Sequence, residues 1–300
     1  MKLTPLSATN QSPLPKAHGY GFDEAGRGCL AGPVVASVVY FSSATNWERL
    51  EGLDDSKKLT EKKRLALVPL ILEEAQAYGI GLSWQGEIDE INIINATFRA
   101  MCRAFILMQR NFAAPLASAL QENPIPSPTR SLSSPHPHPV ISTIPPISPA
   151  TPVFIDGNLL IREDAWQACA QRPPCLWHSF YFPPIKGLGK PLDTEDLIQT
   201  QDHDTQELVR EFPFPHQQAV VGGDGLVACI SAASILAKTT RDALMDRFDK
   251  FFPHYGFKNH KGYGTKRHRE AIVQHGPCPL HRHSFIQKTL GDQQQLSLFQ

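Results

Sequence analysis

The chain has 300 residues, enough for one large domain or two ordinary ones, and its 29 Lys and Arg balance its 29 Asp and Glu, so net charge alone names no anionic partner. The longest apolar stretch, Leu226 to Ala237, is twelve residues with two serines, too short for a bilayer, and residues 1–16 hold no continuous apolar run of the secretory kind. Six cysteines scattered without a C-x-x-C argue against a disulfide scaffold or a zinc ribbon, which predicts a cytoplasmic protein with no membrane partner.

In chain order, residues 1–17 read as a loose polar tail and organised sequence begins at Gly19. Pro33 to Phe41 is β-branched and nearly all apolar, as a strand buried on both faces should be. From Thr60 to Ala77 a helix is predicted, with Thr60 as N-cap, Glu61 in its first turn and Leu65, Val68, Leu72 and Ala75 as its apolar face. Pro69 should kink or restart it. Tyr78 to Trp84 reads as a strand and Asn92 to Met108 as an amphipathic helix, so the alternation is that of an α/β domain. Residues 113–152 interrupt it with 11 Pro, 7 Ser and only two charges, the composition of a disordered insertion. Val153 to Asp156 is then a short strand ending on an acid, and 186–215 is an insertion with an acidic stretch from Asp193 to Glu211. Ala219 to Val221 is a brief strand, and Ile230, Ala233, Ala237, Leu244 and Phe248 trace one face of a long helix.

Acids stand where strands should be apolar: Asp23 and Glu24 after Gly21-Phe22, Asp156 after Val153-Phe-Ile155, and Asp224 after Val220-Val-Gly-Gly223. Acids are rarely buried unless paired or bound to metal. If the strands are neighbours, the four converge at one sheet edge as oxygen donors for Mg²⁺ or Mn²⁺. Neighbouring residues of a regular strand point to opposite faces, so Asp23 and Glu24 should need a local departure from strand geometry, which Gly26 and Gly28 permit. Taken singly, each acid could equally be a strand-end or N-cap residue, Asp224 above all.

Gly26-Arg27-Gly28 is either a tight turn or a backbone cradle for phosphate, with Arg27 adding charge. Asp55-Ser-Lys57-Lys58-Leu59 places two lysines before a helix. Lys258 to Lys288 carries seven Lys or Arg and five His against Glu270 alone, a basic strip suited to a phosphate backbone, and within it Tyr263 is flanked by glycines as a stacking platform or a structural tyrosine.

Gly21-Phe-Asp-Glu-Ala-Gly-Arg-Gly28, Asp55-Ser-Lys-Lys-Leu59, Glu87-Ile-Asp-Glu-Ile-Asn-Ile93, Ile155-Asp-Gly-Asn158, Ser231 to Asp242 and His260-Lys-Gly-Tyr263 together resemble, in order, the bacterial ribonuclease HII family over about Gly19 to Phe285. The resemblance implies a ribonuclease H-like mixed sheet flanked by helices, with a small helical C-terminal region. The catalytic domain would span 18–250, a basic substrate-binding region 251–290 and a tail 291–300. It implies a monomeric endonuclease acting on RNA–DNA hybrids and on DNA duplexes containing ribonucleotides, through two Mn²⁺ or Mg²⁺ ions, leaving 5′-phosphate and 3′-hydroxyl ends. Asp23, Glu24, Asp156 and Asp224 match the family's catalytic, metal-binding carboxylates. Gly26, Arg27 and Gly28 match its turn at the 2′-OH, and Tyr263 its tyrosine on the junction deoxyribose. Lys57 or Lys58 would lie near the scissile phosphate. The tail sequence Gln295-Leu-Ser-Leu-Phe299 resembles the peptide that docks on the bacterial β sliding clamp, with Leu296, Leu298 and Phe299 as apolar anchors and Gln295 at the rim. Two other readings stand beside this one: another two-metal nuclease of the same superfold, and a non-catalytic nucleic-acid or clamp-binding adaptor.

Overall fold

The computed structural model describes residues 18–109, 151–171 and 216–287. The N-terminal tail, nearly all of the 113–152 insertion, the acidic stretch and the 291–300 tail, with Gln295, Leu296, Leu298 and Phe299, lie outside the described residues.

β1 (Gly19–Ala25) and β2 (Val34–Phe41) pair antiparallel, and β3 (Ala77–Ser83) continues the meander beyond β2. On its other edge β1 pairs in parallel with β4 (Val153–Asp156), and β4 with β5 (Gln217–Val220). The result is a mixed five-stranded sheet of order β3-β2-β1-β4-β5. β5 ends one residue before the expected strand does, and Val221 is 73% exposed.

Both faces are covered. On one lies α2 (Gln85–Gln109), whose Phe98, Met101 and Phe105 pack on Tyr20, Phe22, Ala36 and Ile155, joined by Trp166 of α3 (Glu163–Gln171). On the other lie α1 (Glu61–Glu74) and α4 (Ala228–Phe251), whose Val68, Ile71, Ile230 and Ala233 pack on Val39 and Phe41. Two helices approach the sheet at backbone distance. A Cβ on Gly21 would stand 2.2 Å from the Cys229 carbonyl carbon of α4, and one on Gly81 would stand 2.2 Å from the Ala100 oxygen of α2. α2 has the length and apolarity of a membrane span, but the sheet covers most of it.

Local details depart from expectation for physical reasons. Thr60 caps α1 by accepting from the Lys63 amide at 3.3 Å, but the helix passes through Pro69 without restarting. The Leu65 carbonyl that loses its partner there belongs to a residue 43% exposed, where water can replace the bond. The buried face is Leu67, Val68 and Ile71, so Leu65 falls outside it. α2 begins seven residues before the expected start and breaks at Asn92, which adopts φ 66° and ψ 165°. Asn92 then acts as the N-cap of the second half, its side chain accepting from the amides of Ile94 and Asn95.

Past α4, the short helix α5 (Phe257–His260) and α6 (Lys266–His275) form a small helical region on a separate core of Met245, Phe248, Phe257, Ile272 and Leu280. That core also takes in Ala31 and Trp84, so the loop between β1 and β2 is held by the C-terminal region.

Candidate active site

The parallel ladder of β1 and β4 closes at Phe22 and Ile155, so the next residue on each strand is Asp23 and Asp156. Carboxyl ends of parallel strands are where ligands meet an α/β sheet. The expected break in β1 is not there: Asp23 and Glu24 both pair with β2, opposite Ser37 and Ala36. They keep the opposite faces that strand geometry dictates. Asp23 turns toward α4, where the Ser234 hydroxyl beside it works against the upward push on its pKa. Glu24 turns toward α2 and lines a cleft with Thr97, Met101, Asp156 and Asn158. The acids therefore straddle the end of the sheet.

Asp224 arrives from a 3₁₀ turn, Gly223–Gly225, and is 5% exposed. It caps no helix, since Val227 is the N-cap residue of α4 and makes no side-chain cap bond. Asp156 fastens this turn to β4 by accepting from the Gly223 amide at 2.7 Å. Asp156 is also the common electrostatic neighbour of Asp23, Glu24 and Asp224. Burial, then Glu24 and Asp156, push the Asp23 carboxyl well above the ordinary carboxylate range. Burial also raises Glu24 against the opposing charge of Arg27, and raises Asp224 with the help of Asp156.

Two cations answer these acids. Arg27 Nη1 lies 3.2 Å from Glu24 Oε1, and Lys57 Nζ lies 3.4 Å from Asp224 Oδ2. Lys58 instead pairs with Asp54 at 3.5 Å, so of the two lysines it is Lys57 that meets the carboxylates. Burial disfavours the Lys57 charge, but Asp224, Asp23 and Asp55 together outweigh it and its pKa is raised. The lysine loop is tied to α4: Ser56 and Ser234 hydroxyls are 2.8 Å apart, and Ser231 donates to the Asp54 carbonyl at 2.9 Å. Ser234 thus stands between Asp23 and the Lys57 loop.

The Gly-Arg-Gly turn sits beside this cluster on two buried arginines. Arg282 donates to the carbonyls of Gly26 at 2.7 Å, Arg27 at 2.9 Å and Gly32 at 2.8 Å. Arg241 donates to Pro33 at 3.0 Å, Ala31 at 3.0 Å and Lys261 at 2.7 Å. Gly26 must be glycine, with φ +94° and Arg241 Nε 2.0 Å from where its Cβ would be. Gly28 has no atom within 4 Å of its Cβ position, so nothing inside the chain demands glycine there. Tyr263 is 44% exposed and its backbone bridges Cys29, while Leu30 donates to the Gly262 carbonyl at 2.9 Å. The turn and the tyrosine are therefore one substructure.

The basic strip divides. Arg282, His268 and His281 are fully buried, His260 nearly so and Lys261 half-buried, which leaves Lys258, Lys266, Arg267, Arg269, His275 and His283 on the surface among the described residues. Sequence reasoning missed Ser231, Ser234, Arg241 and Arg282. The serines had a signal, since polar residues three apart inside the apolar run Leu226 to Ala237 share one helix face. Arg241 lies within the resembling block Ser231 to Asp242 without a role attached to it, and Arg282 had no signal, because a charged residue is placed on the surface by default.

The donors at the sheet end are carboxylate oxygens, which suit a hard divalent cation and not zinc, and three of the acids are held above their ordinary range in one another's company. Among the described residues no three His, Cys, Asp or Glu side chains are close enough as they stand to cage an ion. The fit rests on the donor chemistry and the mutual repulsion, which a cation would relieve.

An antiparallel meander continued by two parallel strands, with helices on both faces and acids at the carboxyl ends, is a ribonuclease H-like fold. The same fold appears in the crystal structure of ribonuclease H2 from Pyrococcus horikoshii OT3, at TM-score 0.50 and 20% identity over 90% of this chain and 95% of that one. Bst-RNase HIII in complex with Mn²⁺ aligns at TM-score 0.51 and 13% identity over 95% and 76%. The sequence model of the Ribonuclease HII family matches residues 20–114 and 195–288. Ribonuclease HII of Oleidesulfovibrio alaskensis is 38% identical over 271 residues, covering 88% of this chain and 77% of that protein. Ribonuclease HII of Nitratidesulfovibrio vulgaris is 36% identical over 281 residues, covering 93% and 91%. The chain belongs to the ribonuclease HII family, and it is a ribonuclease H, a hydrolytic endonuclease acting on RNA paired with DNA.

Proposed function

We propose that the protein cuts RNA–DNA hybrids and nicks DNA duplexes on the 5′ side of embedded ribonucleotides, leaving 5′-phosphate and 3′-hydroxyl ends. The observation that carries this reading is the adjacency of Asp23, Glu24, Asp156 and Asp224 to a glycine turn that shares its framework with Tyr263. Asp23, Glu24, Asp156 and Asp224 would hold two divalent cations, Mn²⁺ or Mg²⁺, which supply charge to lower the pKa of an attacking water and to steady the leaving oxygen. The chain's own part is positional. The Gly223 amide holds Asp156 and the Ser234 hydroxyl stands beside Asp23, so these two acids are placed before substrate arrives. Lys57 offers its ammonium group to a phosphate oxygen at the edge of the cluster.

RNA differs from DNA along its backbone at the 2′-OH, so discrimination has to be made there. The Gly26 to Gly28 backbone is suited to that test, because Gly28 leaves open space that a side chain would fill. A site built to hydrogen-bond a hydroxyl rejects the analogue lacking it strongly. Arg241 and Arg282 spend their donors on carbonyls and have no carboxylate within 4.0 Å among the described residues, so two positive charges beneath the turn favour a phosphate above it. Tyr263 would stack on the deoxyribose that follows, and the exposed basic side chains of α6 would follow the duplex. The Gln295 to Phe299 peptide would dock this monomeric, cytoplasmic enzyme on the sliding clamp, in replication and ribonucleotide excision repair.

The test is a DNA duplex with one ribonucleotide, incubated with protein and Mg²⁺ or Mn²⁺, with all-DNA duplex and EDTA as controls. A metal-dependent nick 5′ of the ribonucleotide, absent from all-DNA, is expected. Cleavage of long hybrids alone would discard the junction reading, and cleavage of all-DNA would point to another nuclease of the superfold.

A further inference from the structure

Tyr263 stands on a tightly turned backbone, its amide donating to the His260 carbonyl at 2.8 Å. Lys261 and Gly262 just before it have φ of 50° and 83°, and Gly262 cannot carry a Cβ because the Ala31 oxygen would lie 2.5 Å away. Beneath this segment are three buried histidines whose rings nearly touch. His260 and His268 stack with centroids 4.3 Å apart, and His268 Nε2 lies 3.1 Å from His281 Nε2.

Their proton positions follow from the partners. His268 Nδ1 is 2.9 Å from the Tyr263 carbonyl oxygen, which only accepts, so Nδ1 carries the hydrogen and Nε2 is bare. His281 Nε2 must then donate to it. This leaves His281 Nδ1 bare, in position to accept the Cys278 amide at 2.9 Å. His260 is set in the same way: Nε2 donates to the Tyr255 carbonyl at 2.9 Å and Nδ1 accepts from the Gly262 amide at 3.2 Å. Every ring nitrogen is used; His281 Nδ1 also lies 3.2 Å from the Cys278 carbonyl, and it is the His268 contact that decides its tautomer, because a bare His281 Nε2 would face a second bare nitrogen. Burial holds His268 and His281 down at about 4, so both are neutral at physiological pH and the chain of donors is intact.

We infer that His268 and His281 are positioning residues for the Tyr263 substrate contact: a one-directional relay, Cys278 amide to His281 to His268 to the Tyr263 carbonyl, sets the angle at which the tyrosine ring meets the nucleic acid. The inference rests on the reading of Tyr263 as a substrate contact, and it deepens that reading by naming what holds the ring. The Tyr263 side chain also stands beside the buried thiol of Cys29, the residue of the glycine turn that its backbone bridges.

The test compares steady-state kinetics on the single-ribonucleotide duplex for the full-length protein and four variants. In His268→Gln the ring donor to the Tyr263 carbonyl is lost and only the Thr265 amide, at 2.8 Å, still donates to it among the described residues. In His268→Asn the side-chain amide stands where Nδ1 was and keeps it. Tyr263→Ala and the double variant Tyr263→Ala/His268→Gln complete a cycle. We expect KM to rise about tenfold in His268→Gln with kcat within about threefold, His268→Asn to recover most of the loss, and His268→Gln to add nothing once Tyr263 is alanine. Additive losses in the double variant, or equal losses in the Gln and Asn variants, overturn the relay. An unchanged KM in Tyr263→Ala alone refutes the substrate contact itself and the inference with it, so the two failures are distinguishable. If His268→Gln melts too low to assay, His281→Asn asks the same question. It keeps an acceptor for the Cys278 amide but lacks the donor to His268, and a KM unchanged from wild type there would also overturn the proposal.

Discussion

Asp23 is 4% exposed and lies beside Glu24 and Asp156, so its charged form meets both repulsion and lost hydration. Replacing it by asparagine removes a cation ligand and that repulsion together. Asp23→Asn should therefore lose about a thousandfold or more in cleavage rate, while its melting temperature in EDTA stays equal to or rises above that of the parent, as differential scanning calorimetry would report. A melting temperature several degrees lower would mean that the acid supports the fold and not the chemistry. Lysines of the Asp55 to Leu59 loop separate at the same scale. Lys57 meets Asp224 and Lys58 meets Asp54, so Lys57→Ala should cost about ten- to a hundredfold in kcat/KM and Lys58→Ala less than about threefold, read in the same cleavage assay.

Elements act here through what they clamp. The β1–β2 loop is held between the Lys261 to Tyr263 segment and residues 280–282, and Arg282 bonds three of its carbonyls. A lysine has one nitrogen where the guanidinium has three, so Arg282→Lys should lower stability by about 2–3 kcal/mol in denaturant titration and raise KM. The histidine relay sets a pH dependence. His268 and His281 have folded pKa values of about 4, below the ordinary histidine value, so between about 6.5 and 4 the unfolded chain binds protons that the native protein refuses. That contribution to stability is full above the window and is lost as pH falls through it. Asp23, Glu24 and Asp224, held above their usual range, act with the opposite sign. The informative comparison is wild type against His268→Asn, whose stability should depend on pH more weakly by about one proton across the window. Equal slopes would show that the ring is not held neutral by burial.

At the scale of the whole molecule, strand and helix periodicity was legible because β2, β3, α1 and α4 carry it within single segments. The sheet order was not derivable from periodicity, since the pairing of β1 with β4 joins residues about 130 positions apart. The same holds for the site. Acids at strand ends betrayed themselves by type, whereas Arg241, Arg282 and the histidine relay look like surface charge until residues 255–282 are folded against residues 26–33. The turn toward a shared face expected of Asp23 and Glu24 proved unnecessary, because a site at the end of a sheet can be reached from both faces. Deleting residues 295–300 should leave cleavage of free oligonucleotides unchanged and weaken binding to the sliding clamp in surface plasmon resonance. Unchanged clamp affinity would deny that tail a docking role.

The central claim is that acids from β1, β4 and the 3₁₀ turn before α4 form one cation site. Titrating Mn²⁺ into the full-length protein by isothermal calorimetry, with Asp23→Asn and Asp156→Asn beside it, tests this directly. Saturable binding in the parent that is lost or weakened at least about tenfold in both variants, in step with cleavage, is the predicted result. Undiminished Mn²⁺ affinity in variants that no longer cleave would place the cation elsewhere and contradict the account.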